Sequence, residues 1–201
     1  MHESIDVLMN EHRRIEKVLG SLETFCLEVA DGLVPERTVL ADYAAFFRGY
    51  ADASHHGKEE DVLFARMLER GFSRESGPVA VMLHEHAVGR GHVGALGQAG
   101  GGAGAVTGVE AQLVVEHGSA FVPHLRAHIQ KEDRILYPMA LRLLDDGELD
   151  AMLAQFEAFD AGRRADGTYD RLEGLADRLV AAFRPDPVRM AAAESLVACG
   201  R

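Results

Sequence analysis

Histidine and glutamate recur in this sequence at spacings that suit a metal site. Four separate apolar stretches each contain a histidine, and in two of them a glutamate follows four residues later. The residues are His12, His56 with Glu60, His86, and His128 with Glu132. Residues four apart on a helix point the same way, about 6 Å apart along its axis. Each His-x-x-x-Glu pair therefore offers an imidazole nitrogen and a carboxylate oxygen to one point.

Burial of these side chains would favour metal binding over a purely structural role. A buried ionised carboxylate is costly unless it is paired or binds a metal, and two such groups would repel one another or take up protons. Imidazole and carboxylate ligands together suit iron better than a metal that prefers soft ligands. The Glu-x-x-His pattern of ferritin-like sites and the His-Glu-x-x-His pattern of metalloproteases are both absent from the sequence.

Helices must position these residues, because the apolar residues recur at steps of three and four. In the first such stretch His12 completes a series that includes Leu8, Ile15 and Leu19. We expect four long helices at about residues 5–29, 35–70, 78–96 and 109–144, with a Gly-rich loop at residues 97–108. The spacing predicts an all-α fold, an antiparallel up-down four-helix bundle over residues 1–145.

The last part of the chain has a different pattern. Two shorter amphipathic stretches, residues 148–159 and 170–183, flank a polar segment and precede an Ala-rich end. We expect residues 146–201 to form a helical appendage that packs on the bundle and ends in a flexible tail.

Composition excludes several classes of protein. Among 201 residues, 32 Asp and Glu outnumber 21 Lys and Arg, and the net charge of −11 argues against nucleic-acid binding. No apolar run reaches the length of a membrane span, and the N-terminus lacks the layout of a signal peptide. Cys26 and Cys199 are too few for a disulfide framework or a thiolate zinc site. We therefore expect a cytoplasmic protein.

Four motifs resemble those of a known family. They are Asn-Glu-His-Arg-Arg-Ile at residues 10–15, His-His-Gly-Lys-Glu-Glu-Asp-Val-Leu-Phe at 55–64, Met-Leu-His-Glu-His-Ala-Val-Gly-Arg at 82–90 and His-Ile-Gln-Lys-Glu-Asp-Arg-Ile-Leu-Tyr-Pro at 128–138. Their types and order resemble the hemerythrin-like proteins, whose domain is also called the HHE cation-binding domain. The resemblance covers roughly residues 1–145. It implies an up-down bundle that holds two iron ions joined by oxo or hydroxo and carboxylate bridges. On this basis the four histidines are expected as terminal ligands, with Glu60 and Glu132 as bridges.

The sequence departs from the oxygen-carrying hemerythrins in two places. Arg90 stands where their third helix has a second histidine, and Glu132 stands at a spacing of four where their fourth helix has aspartate at a spacing of five. The pattern resembles a bacterial variant with His, His-x-x-x-Glu, His-x-x-x-Arg and His-x-x-x-Glu. One imidazole fewer implies an open position on one iron, or a substitute ligand. This favours binding, sensing or reaction with oxygen, peroxide or nitric oxide over simple oxygen carriage.

Neighbouring residues leave alternatives open. Glu59 and Asp133 follow a different helical angle from the ligands, which favours solvated side chains or contacts around the site over a role as ligands. His124 lies one turn before His128. It is expected either near the site, as a ligand or as a hydrogen-bond donor to a ligand, or in a purely structural role. Arg90 is expected either to pair with Glu60 or Glu132, or to extend to solvent.

Three functional hypotheses follow from the sequence. The first is a di-iron protein that binds or senses a small diatomic or peroxide ligand. The second is an enzyme that disproportionates peroxide at the same centre. The third is a regulatory module in which iron occupancy orders the bundle and controls residues 148–201.

Overall fold

The chain is almost wholly α-helical in a computed structural model that describes residues 2–191. The main helices are α1 (Glu3–Ala30), α2 (residues 37–69), α3 (Gly77–Gly100), α4 (residues 109–143), α5 (Asp146–Ala165) and α6 (Thr168–Ala182). The predicted all-α class is confirmed. Helix α3 extends further into the Gly-rich segment than expected, and α4 continues through Pro123. None of the helices within residues 2–191 combines the length and hydrophobicity that crossing a bilayer requires.

The first four helices run in alternating directions. Glu11 of α1 contacts His55 of α2 at one level, while Ser21 contacts Tyr43 at another, so that α1 and α2 are antiparallel. The same reversal relates α3 to α4, because Glu85 contacts His128 at one level and His92 contacts His117 at another. A polar layer with His12, between Leu8 and Ile15 of α1, separates two apolar cores. This layer is where the histidines converge.

Helices α5 and α6 contribute to the same two cores. Leu149, Met152 and Phe156 of α5 pack with the N-terminal half of α1, and Leu172 and Leu179 of α6 pack in the other core. A capping box between Asp145 and Glu148 begins α5, as the side chains of an N-cap and its third following residue satisfy free backbone N–H groups. Helix α5 continues to Ala165, beyond the expected end at residue 159. The division at residue 145 stays a prediction, and the predicted flexible tail falls mostly at residues 192–201, outside the described residues.

Helices α2 and α4 each contain π-helical turns at the level of the polar layer. In α2 these are Phe47–His56 and Glu59–Leu63, and in α4 the segment is Glu132–Leu136. A π turn bonds residue i to i+5 and occurs frequently at functional sites. In α2, the side-chain hydroxyl of Ser54 donates a further hydrogen bond to the carbonyl of Gly49, 2.9 Å away. These turns set which side chains of α2 face the interior.

Candidate metal centre

Two groups of buried side chains in the polar layer have the composition of metal sites. One comprises His56, His86, His128 and Glu59, and the other comprises His12, His55, Glu132 and Glu59. Within each group the candidate ligand atoms lie within 4.8 Å of one another. Glu59 belongs to both groups, so its carboxylate lies between the two sites. Glu132 also approaches both groups, with one oxygen 3.1 Å from His128 Nε2 and the other 3.2 Å from His12 Nε2.

Each of the five histidines has a carboxylate at Nδ1. The pairs and distances are His12–Asp133 at 2.7 Å, His55–Glu11 at 2.9 Å, His56–Asp52 at 3.4 Å, His86–Glu60 at 2.7 Å and His128–Glu85 at 2.9 Å. A histidine that binds a metal through one nitrogen generally donates its other ring N–H to such a group. A carboxylate at Nδ1 favours the tautomer that leaves Nε2 free. The arrangement therefore orients the imidazoles as ligands.

Cationic side chains form ion pairs with these carboxylates. Arg13 pairs with Asp133, Lys131 with Glu85, Lys58 with Glu11, and Arg90 with both Asp52 and Glu60. Three of the cations reach solvent, whereas Lys58 is completely buried. Lys58 Nζ also donates to both oxygens of Asp160 in α5 at 3.0 Å. Helix α5 is thereby connected to His55 through Lys58 and Glu11.

The centre of the layer has polar atoms that require a further partner. His55 Nε2, one oxygen of Glu59 and both oxygens of Glu132 are buried without a hydrogen bond from any residue in the described range. Tyr137 donates its hydroxyl proton to the other oxygen of Glu59 at 2.8 Å. Buried polar atoms without partners are rare in native proteins, and their presence calls for an explanation such as a bound ion. Their nitrogen and carboxylate chemistry suits a transition-metal cation.

The pKa shifts of Glu59 and His128 also indicate that this layer favours added positive charge. Burial and the charge of Glu132 raise the pKa of Glu59 well above its usual value. Burial disfavours the charged form of His128, but Glu132 and Glu85 outweigh it and raise the pKa of His128 to about 9. Burial and the nearby His12 lower the pKa of His55 to about 4, which leaves this imidazole neutral and ready to bind a metal.

The structure brings together five of the six ligands expected from the sequence. His12, His56, His86, His128 and Glu132 all face the centre. Glu60 differs from the expectation, because its carboxylate lies outside both groups and binds His86 Nδ1 and Arg90 instead. Glu59, expected away from the ligands, occupies the shared position.

The two near-site residues lie beside the centre without belonging to either group. Arg90 forms its ion pairs with Glu60 and Asp52 and keeps 42 % of its side chain exposed. His124 donates from Nε2 to the carbonyl of Glu85 at 2.9 Å, and so supports the residue that holds His128.

His55 is a ligand candidate that the sequence interpretation did not include. A signal was present, because two His-x-x-x-Glu pairs overlap in α2, His55 with Glu59 and His56 with Glu60. Spacing cannot choose between them, and the π turns bring both histidines and Glu59 inward. Gly57 between them is also needed, because a Cβ there would lie 2.7 Å from the ring of Phe159 in α5.

A comparison with protein families decides the relationship. The model of the hemerythrin HHE cation binding domain matches residues 3–140. The chain belongs to the hemerythrin HHE family. This membership and the histidine and glutamate groups together make it a metal-binding helical bundle. No curated protein and no solved structure matches the chain. Helices α5 and α6 lie outside the part that matches the HHE domain.

Proposed function

We propose that this HHE protein holds two iron ions in its polar layer. His56, His86 and His128 would hold one ion, and His12 and His55 the other, with Glu59 and Glu132 shared between them. The observation that supports this most strongly is the common design of the five histidines. Each has Nδ1 against a carboxylate, and they surround two buried carboxylates that have oxygens without hydrogen bonds.

Five imidazoles lie in the layer where four were expected, because His55 joins the set, and this makes up for the histidine that Arg90 replaces. His56 then serves the ion that lacks a second histidine from α3. Its ring stacks on that of His86 with centroids 3.7 Å apart, and both belong to the same group. We assign His56 as the third imidazole of that ion, supplied by α2 rather than by α3. Arg90 instead neutralises the carboxylates that hold His56 and His86.

The test of the centre is metal analysis of the protein as purified and after anaerobic loading with ferrous iron. We expect two iron ions per chain. Glu59→Gln should reduce this stoichiometry, because it removes the shared carboxylate. Glu60→Gln should keep two ions and weaken their binding about 10- to 100-fold, as for a partner of a ligand. If Glu60→Gln loses the ions and Glu59→Gln retains them, the assignment of the shared ligand is overturned.

A small ligand would bind at the ion with fewer imidazoles. His12 and His55 supply two nitrogens there, against three at the other ion. A pair of iron ions would coordinate oxygen, peroxide or nitric oxide and would supply electrons to it. The chain itself contributes the Tyr137 hydroxyl, which lies 3.3 Å from His12 Nε2 and donates to Glu59. Measuring oxygen evolution from peroxide distinguishes an enzyme from a binding protein. Tyr137→Phe should change the rate of that reaction, or the affinity for the small ligand, while leaving the iron content intact.

One observation also favours the regulatory hypothesis. Lys58 and Glu11 join His55 to Asp160, so that metal occupancy at His55 and the packing of α5 share one hydrogen-bond network. Binding to the folded state alone stabilises that state by mass action. Hydrogen exchange in α5 should therefore slow when iron is loaded. Equal exchange with and without iron would exclude this role.

A further inference from the structure

A cavity of about 380 Å³ lies beside the centre, between α2, α3 and α4. A single water occupies about 30 Å³ in the liquid, so that the space is roughly a dozen times the volume of a water molecule. Pockets for small organic molecules begin at about 300 Å³. The volume therefore suits an organic molecule rather than oxygen alone.

The two ends of the cavity differ in chemistry. His56, His86 and His128 line one end, where one iron is proposed. The cavity follows α3 from His86 to Gly94, which corresponds to about 12 Å at 1.5 Å per residue. Between the ends the lining is mainly apolar, with Phe47, Ala51, Val93, Phe121 and Leu125, beside the ion pair of Arg90 and Asp52. A molecule that fills it must present a long apolar surface.

Arg48 supplies a positive charge at the other end. Its guanidinium group lies against α3 at Gly97, one turn beyond Gly94. Arg48 is exposed and forms no ion pair with any residue within 2–191. This differs from Arg90, which also lines the cavity but is neutralised by Asp52 and Glu60. An apolar channel that ends at an unpaired cation is complementary to an apolar molecule with one anionic group.

We propose that this cavity binds a medium-chain aliphatic carboxylate, with its carboxylate at Arg48 and its chain directed to His56, His86 and His128. Only the adjacency of the chain end to iron rests on the proposed function; the binding site itself depends on the cavity and Arg48. The HHE protein would then combine its metal centre with a site for an organic acid.

Two glycines of α3 provide a matched pair of variants. A Cβ at Gly94, which lines the cavity, or at Gly91, which is exposed on the same helix, would meet no atom within 4 Å. Gly94→Leu should fill the cavity, whereas Gly91→Leu adds the same side chain to solvent. Both replace a glycine within a helix, so that any gain in helix propensity is common to both.

Binding of decanoate, measured by calorimetry and by displacement of the fluorescent anion 8-anilinonaphthalene-1-sulfonate, tests the proposal on the protein as purified. Gly94→Leu should weaken decanoate binding about tenfold or more, as overfilling a packed space does, and Gly91→Leu should leave it unchanged. Arg48→Gln should weaken decanoate about three- to fivefold, the range of an exposed ion pair, without affecting 1-decanol. Absence of decanoate binding, or equal binding by both leucine variants, overturns the site; equal loss of decanoate and decanol in Arg48→Gln overturns the role of the charge.

The proposed function can fail separately from this site. Decanoate binding in protein that takes up no iron would leave the cavity assignment standing and reject the iron centre. In iron-loaded protein, decanoate should shift the near-ultraviolet absorption of the centre. Binding without such a shift would overturn the placement of the chain end beside the metal.

Discussion

Replacement of Lys58 by methionine is the sharpest perturbation of the connection between the metal centre and α5. Lys58 is completely buried, and its ammonium group donates hydrogen bonds to Glu11 and to both oxygens of Asp160. Methionine preserves an unbranched chain of similar length and removes only the charge and the donors. The change therefore removes the buried cation that pairs with both Glu11 and Asp160, while His55 stays beside Glu11 and Arg164 lies 3.8 Å from Asp160.

The magnitude follows from the cost of an uncompensated buried charge. Removing one partner of a buried ion pair costs about 3–5 kcal/mol. Here two carboxylates lose their partner, although Tyr169 still donates to Asp160 at 2.5 Å. We expect a loss of about 3–5 kcal/mol in the free energy of unfolding. For a protein of this size each kcal/mol lowers the melting temperature by about 2–4 °C, which corresponds to a fall of about 6–20 °C.

Urea unfolding and calorimetry of the metal-free protein measure this loss. The matched control is Arg70→Met, because Arg70 pairs with Glu148 and also joins the end of α2 to α5, but in solvent. An exposed pair contributes about 0–1 kcal/mol, so that this variant should unfold almost as the unchanged protein does. If Lys58→Met and Arg70→Met lose the same small amount, the buried network does not hold α5 on the bundle and the reasoning is refuted.

Three further predictions concern charge and packing. Because the pKa of His128 is raised to about 9, its proton stabilises the metal-free fold below pH 6.5, and this contribution disappears as the pH rises through 9. Metal loading displaces that proton, so that the affinity for iron should rise by at least about tenfold per pH unit over the same interval, measured by iron titration. The pKa of Glu85 is lowered to about 2 because His128 and Lys131 outweigh its burial. Its stabilising contribution is therefore present above pH 4.5 and is lost as the pH falls towards 2. Glu85→Gln should flatten the acid side of a plot of unfolding free energy against pH. Gly118→Ala should destabilise the fold by about 1–3 kcal/mol, since its Cβ would lie 2.3 Å from the sulfur of Cys26; a stability equal to that of the unchanged protein would show that the core adjusts around it.

The helices could be predicted from the sequence because their apolar residues follow the period of an α-helix. The series through Leu8, His12 and Ile15 predicts a buried histidine, and the structure places His12 in the layer between the two cores. Prediction was weaker at helix ends, as at α5, where the helix continues past Phe159 and buries Asp160 beside the distant Lys58. The centre could be predicted where the α-helical period holds, as at His128 and Glu132.

The ligands of α2 could not be assigned by that period. A regular α-helix makes residues four apart equivalent and separates neighbours by a wide angle, so that it forces a choice between His55 and His56. The π turns of Phe47–His56 and Glu59–Leu63 change this angle, and both histidines reach the centre together with Glu59. Burial of Lys58 was equally hidden, because it depends on Asp160, 102 positions further along the chain.

The charges around the centre explain why the layer requires cations rather than a better set of hydrogen bonds. Seven carboxylates contact the five histidines or lie among them, and four cationic side chains pair with these carboxylates, which leaves an excess of three negative charges. In the absence of metal, burial and the neighbouring charges favour protons on three of these groups. The pKa of Glu59 is raised well above its usual value by burial and by Glu132, and the pKa values of His128 and His12 are raised because neighbouring carboxylates outweigh their burial. Metal binding must displace these protons. The groups that stabilise the metal-free layer therefore make metal binding dependent on pH, and a net release of protons on loading, measured with a pH indicator, would connect the two states directly.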